Sequence, residues 1–168
     1  FSSLLDDIEP YSAEEIKEFT RLIHKNTQLL LKLVGDVLDI SNLDSGSVEL
    51  HPGDCRVSTL LQEVYSQQSQ EERQEGVEMR LELPADETLC IRTDPARLRQ
   101  ILVNLVNNAR KFTSHGHITL GCREDGTDAV IFYVEDTGKG IPQASLPYIY
   151  DRFYKVDEFI QGAGLGLS

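Results

Sequence analysis

The chain has 168 residues and a net charge of −12, with 40% apolar and 26% charged residues. That length holds one ordinary domain or a small domain with an appendage, and the balance is that of a folded globular chain, not a disordered one. The acidic charge excludes a broad nucleic-acid face, which needs clustered Lys and Arg, yet admits a small anionic ligand that arrives with a metal ion.

An apolar start over residues 1–8 reads as the tail of a helix. Ser12 and Glu15 then form an S-x-x-E capping box that opens a second, long helix. Along it Ile16, Phe19, Ile23, Asn26, Leu30, Leu33, Val37 and Ile40 keep alternating three- and four-residue spacing, an a/d seam with one polar position. Leu22, Leu29, Val34 and Leu38 widen that stripe beyond a two-stranded seam. A helix this apolar needs several neighbours, as in a four-helix bundle. Residues 1–8 supply only one, so a homodimer through this region is expected; the competing reading packs the helix on its own domain.

The pattern changes near Ser45-Gly46. Beyond it, residues 47–50, 77–83, 89–92, 117–123 and 129–135 read as strands, and 58–74 and 95–112 as helices. Asp94-Pro95 is an N-cap with Pro at the first helical position, and Asp125-Gly126 is a hairpin turn signal. Helices laid on a mixed or antiparallel sheet give an α+β sandwich of two layers over residues 46–168. Cys55, Cys90 and Cys122 are dispersed and fit no zinc spacing, so reduced, partly buried thiols in a cytosolic setting are expected. No apolar run approaches the roughly 20 residues of a membrane span, so no direct membrane contact is expected of this chain.

Three elements carry chemistry. In the helix that ends at Phe112, Asn104, Asn108 and Lys111 fall within roughly 60° of one another, opposite Leu98, Ile101, Leu102, Leu105, Ala109 and Phe112. Asn weakens a helix, and this one holds Asn104, Asn107 and Asn108. Such a face offers amide oxygens to a hard cation and an ammonium to phosphate; alternatively it is simply solvated. Next, Asp136-Thr137-Gly138-Lys139-Gly140 follows a strand directly. Its glycines permit positive φ and close backbone approach, and its Asp can accept a hydrogen bond from an exocyclic amine. Last, Gly162, Gly164 and Gly166 alternate with small and apolar residues at a loop where backbone N–H groups can hold phosphate. A Walker A loop would need a Lys before Ser168 and a dinucleotide fingerprint a different spacing, so neither fits.

Taken in order, NLVNNARKF, DTGKGI, DRFYKVD and GAGLGLS resemble the N, G1, F and G2 boxes of sensor histidine kinases. The resemblance includes the long helix and the LDISNLDSGSVEL passage. It implies a Bergerat-type ATP-binding domain over residues 46–168 that ends at its last glycine loop. It also implies that residues 1–45 are part of a dimerisation hairpin from a dimeric four-helix bundle. By the same resemblance Asn108 is similar to the Mg²⁺ ligand, Asn104 lines that site, and Lys111 contacts phosphate. Asp136 would read the adenine amino group, Gly138 and Gly140 shape the pocket, and Ile141 packs on the base. Tyr154 and Lys155 fall near the ribose and phosphates, with Lys in place of the more usual Arg. Gly162, Gly164, Leu165, Gly166 and Leu167 resemble the end of a short ATP lid and the phosphate loop.

Implied cofactors are ATP and Mg²⁺, and implied partners are a second copy and a response-regulator receiver domain, in the cytoplasm, with a parent that is free or attached to the inner membrane. The parent would transfer a γ-phosphoryl group from ATP to His and on to Asp. The family's H-E/D-x-R-T-P acceptor motif is not in the chain, so the acceptor is expected upstream, and His24, His51, His115 and His117 are read as ordinary positions. Two other readings are a related Bergerat ATPase and a dimeric scaffold with an unused pocket. The ATPase reading expects a general-base Glu where this chain has Asn104, which cannot take a proton from water.

Overall fold

A computed structural model describes residues 11–46, 49–70, 74–126, 129–152 and 154. The chain divides into two compact units, Phe1–Val48 and Glu49–Ser168.

In the first unit, helix α1 spans Ala13–Asp44. The capping box forms as expected: Ser12 N–H donates to Glu15 Oε2 at 2.8 Å, and Glu15 N–H to Ser12 Oγ at 3.3 Å. The Tyr11 ring meets the Phe19 ring edge-on at 5.4 Å, a contact across the helix entrance. Thr20 and Thr27 return their hydroxyls to the carbonyls of Ile16 and Ile23. The seam residues Ile16, Ile23, Leu30 and Val37 stay exposed, at 53%, 52%, 63% and 52%.

The second unit starts with β1 (Gly53–Arg56) and α2 (Val57–Gln70). Then come β2 (Val77–Glu82), β3 (Cys90–Thr93), α3 (Pro95–Phe112), β4 (Gly116–Asp125) and β5 (Ala129–Asp136). β1 and β3 pair antiparallel as a two-stranded ribbon. A second sheet runs β2-β4-β5, with β2 parallel to β4 and β4 antiparallel to β5. This is the mixed sheet of a two-layer sandwich. The parallel pair needs a crossover, and the chain from β3 through α3 provides it. Period-two alternation sends Met79, Leu81, Leu120, Cys122, Phe132 and Val134 to one face, where Leu61, Val64, Leu102 and Val106 of the two helices complete the core.

The other face of the sheet has a local device. Gly121 sits in the middle strand, and a Cβ there would lie 2.7 Å from the Tyr133 ring. The ring thus occupies the space a side chain would take, and the Tyr133 hydroxyl donates to Glu82 across the sheet. Arg123 stacks its guanidinium 6.0 Å from the same ring.

Expectation and structure differ in three places. The strand expected over 47–50 does not extend to Glu49 and Leu50, which are exposed and irregular; residues 47 and 48 lie outside the described residues. The strand forms instead at Gly53–Arg56, past Pro52, where Cys55 buries against the helices. The helix expected to reach 74 is described to Gln70, and Gln74 is not helical. On α3, Ile101 is 55% exposed and not part of the buried side, which centres on Leu102, Val106 and Ala109. Seven residues separate Ile101 from Asn108, so at about 100° per residue they share one face.

Cys55 and Cys122 are buried and Cys90 is exposed, and burial raises the first two thiols above their ordinary value.

Candidate nucleotide site at the end of helix α3

The first turn of α3 is fixed by its own sequence. Asp94 caps it, accepting from Ala96 N–H at 3.0 Å and Arg97 N–H at 3.1 Å, and Pro95 occupies the first turn. The other carboxylate oxygen accepts the His51 N–H at 3.0 Å. These amide donors, His51 foremost, hold the Asp94 carboxyl below the usual carboxylate range.

From that start, three turns bring Asn104 and Asn108 round to the same side of the helix as Lys111. Both amides are half-buried, and among the described residues neither takes a side-chain hydrogen bond. A half-buried amide face of this kind is available to an oxygen-seeking cation.

At its far end α3 meets the turn that follows β5. A cleft of about 360 Å³ opens there, lined by residues 111–114, by Thr137, Gly138 and Lys139, and by Gln74. The turn is locked in several ways. Gly138 N–H donates to Asp136 Oδ1 at 2.8 Å, and Lys139 N–H donates to the Phe112 carbonyl at 3.3 Å. Thr137 sits on the start of β4: its N–H donates to the His117 carbonyl at 3.2 Å, and its hydroxyl oxygen accepts the His117 N–H at 3.0 Å. Gly140 has φ +67°, the left-handed region where glycine is favoured. Asp136, at the strand end, is exposed with its carboxylate turned into this turn.

Two cations flank the aromatic floor of the cleft. The Lys111 ammonium lies 5.2 Å from the centre of the Phe112 ring, and that of Lys139 lies 5.4 Å from it. Such an arrangement can receive the phosphates of a nucleotide while leaving a carboxylate at Asp136 for its base.

Lys111 and Gly138 therefore meet in one cleft, with Asp136 bound to Gly138 beside it. Ile141 is 46% exposed, available to pack on a ligand. Tyr154 does not line the cleft; its ring lies 5.6 Å from that of Tyr148, after the 3-10 turn at Leu146–Tyr148. Lys155, Gly162, Gly164, Leu165, Gly166 and Leu167 lie outside the described residues. The sequence pattern passed over Gln74, Thr113, Ser114, Thr137 and Lys139, and it set Phe112 on the opposite, apolar side, whereas at the helix end the Phe112 ring lies in the cleft beside Lys111. Lys139 was within reach, standing between the two glycines of the turn. Gln74 was not, since nothing in its local sequence ties it to Thr113, whose carbonyl accepts its amide at 3.1 Å.

Comparison with known proteins bears on this geometry. Residues 93–168 match the family described as histidine kinase-, DNA gyrase B- and HSP90-like ATPase. The circadian input-output histidine kinase CikA of Synechococcus elongatus is 34% identical over 161 residues, covering 92% of this chain and 21% of that protein. Two-component system protein A of Emericella nidulans is 36% identical over 166 residues, covering 93% of this chain and 24% of that protein. Among solved structures, full-length ShkA in complex with AMPPNP superposes with a TM-score of 0.75 at 31% identity, over 98% of this chain and 34% of that one. The chain thus spans about a quarter or less of the curated relatives it matches here.

Proposed function

Because this chain belongs to the sensor histidine kinases and carries their ATP-binding core, we propose that its second unit binds Mg-ATP in the cleft between α3 and the turn after β5. The observation that carries this reading is the packing of that turn. Gly138 N–H donates to Asp136, which also accepts from Thr113, and Lys139 N–H donates to the Phe112 carbonyl, with the lysine-flanked Phe112 ring beside them.

In this reading Asp136 accepts a hydrogen bond from the adenine amino group, Gly138 and Gly140 let the backbone approach the base, and Ile141 packs on it. Asn108 supplies an amide oxygen to Mg²⁺, and Asn104 lines the same face one turn earlier. Mg²⁺ normally keeps waters and phosphate oxygens around one or two protein ligands, and these amides fit that habit. When bound, the ion neutralises phosphate charge that an acidic protein would otherwise repel. The resemblance to the family further gives Lys111 and Lys155 to the phosphates, Tyr154 to the neighbourhood of the ribose, and Gly162, Gly164, Leu165, Gly166 and Leu167 to the end of a short lid and the phosphate loop.

The whole protein then transfers the γ-phosphoryl group to a His on a dimerisation domain and on to an Asp of a response regulator. The two-component name of one relative supports that partner. The exposed seam of α1 supports a homodimer through this helix. Among the described residues no helix is long and apolar enough to cross a membrane, and the family reading puts this segment in the cytoplasm. Thermal melting with and without Mg-ATP tests the binding reading. A rise that grows with the logarithm of ligand concentration is expected, about 2.7 kcal/mol at a hundredfold excess over Kd. No rise with any adenine nucleotide would overturn it.

A further inference from the structure

Thr113 is the residue at which α3 ends, and it is 1% exposed. Each of its polar groups has work. Its N–H donates to the Ala109 carbonyl at 3.0 Å, and its own carbonyl accepts from Gln74 Nε2 at 3.1 Å. Its hydroxyl donates to Asp136 Oδ1 at 3.4 Å, a long bond of the kind that tightens when a ligand closes a site. The same Oδ1 already accepts the Gly138 N–H, while among the described residues Oδ2 takes no hydrogen bond.

We infer that Thr113 is a specificity-determining positioning residue: it fixes Asp136 through Oδ1 so that Oδ2 is presented to the exocyclic amine of the base. The inference rests on the base-reading role proposed for Asp136 and adds the group that aims it. A carboxylate at the exposed end of a strand turns freely about its last torsion, and an unaimed acceptor loses much of its discrimination between bases. Two donors on one oxygen stop that rotation. One donor belongs to the turn and the other to the buried end of α3, so the base reader is registered against the helix that carries Asn104, Asn108 and Lys111.

The test uses the full chain with Mg²⁺ and compares the calorimetric affinity of ATP with that of purine riboside triphosphate, which lacks only the 6-amino group. The wild-type chain is expected to prefer ATP by roughly 10- to 100-fold, the range for a hydrogen bond to a charged group. Thr113→Val keeps the shape and loses the hydroxyl, and should bring that preference to within about threefold. Thr113→Ser restores the hydroxyl and should restore the preference. Thr113→Ala replaces the valine variant if valine unfolds the chain. A merely structural role would weaken both nucleotides alike and leave their ratio intact, which overturns the inference for Thr113 alone. A wild-type chain indifferent to the amino group overturns the reading of Asp136 together with it.

Discussion

A Cβ on Gly138 would lie 2.4 Å from the carbonyl oxygen of Phe112 and 2.8 Å from Asp136 Oδ1. Both obstacles are held in place, the first by α3 and the second by its bond to the Gly138 N–H. Gly138→Ala must therefore push the turn off the helix. Overpacking of this kind costs about 1–3 kcal/mol. The variant should melt several degrees lower and, because the displaced turn lines the cleft, bind ATP measurably more weakly. Gly140→Ala has open space around it but a φ of +67°. Its cost is expected to be the backbone term alone, about 1–2 kcal/mol. Denaturation of both variants checks the contrast.

Lys111→Ala and Asn108→Asp should each abolish measurable Mg-dependent ATP binding. The first removes a cation beside Phe112. The second places a formal charge where the proposed reading has an amide oxygen toward Mg²⁺, adding repulsion toward the phosphates. Calorimetry on both variants is the check, and unchanged affinity in both would refute the assignment of this helix face.

Asp94 ties acid stability to the start of α3. Its folded pKa is lowered by amide donors, from His51 first, so its contribution is present above the ordinary carboxylate range and lost as pH falls through the folded value. Asp94→Ala should lower the denaturation midpoint at neutral pH, and the gap to the wild type should close in acid. Denaturant titrations on either side of the carboxylate range measure it.

Tyr133 makes the opposite case. Its hydrogen bond to Glu82 pushes the phenol up to about 12, so the protonated form is favoured. The bond's contribution is complete below the ordinary phenol value near 10 and disappears as pH rises through about 12. Ultraviolet absorbance titration should find one late-titrating tyrosine, and Glu82→Gln should return it toward the ordinary value.

The exposed seam of α1 predicts association. Sedimentation at micromolar concentration should give a dimer, and Leu30→Lys with Val37→Lys should give a monomer whose second unit still binds ATP. A wild-type monomer under the same conditions would refute the dimer.

Local signals transferred well from sequence to fold. The Ser12–Glu15 box, the Asp94-Pro95 start and the Asp125-Gly126 turn are decided by neighbours in the chain, and each stands where its residues put it. The strand at Gly53–Arg56 was misplaced because its burial depends on α2 and α3, which short-range patterning does not contain. Ile101 was misassigned for a related reason, since an apolar residue at the edge of a stripe takes its exposure from what packs against it. Of the residues that line the cleft, spacing singled out Lys111 and Gly138, with Asp136 bonded to Gly138 beside them. It did not single out Gln74 and Thr113, because their part arises from a hydrogen bond between positions 39 residues apart.

The bond from His51 to Asp94 also has a mechanical side. His51 is among the first residues of the second unit, reached directly along the chain from the first. His51 stands just before β1, so this single bond pins the entry of the second unit to the root of the helix whose far end lines the cleft.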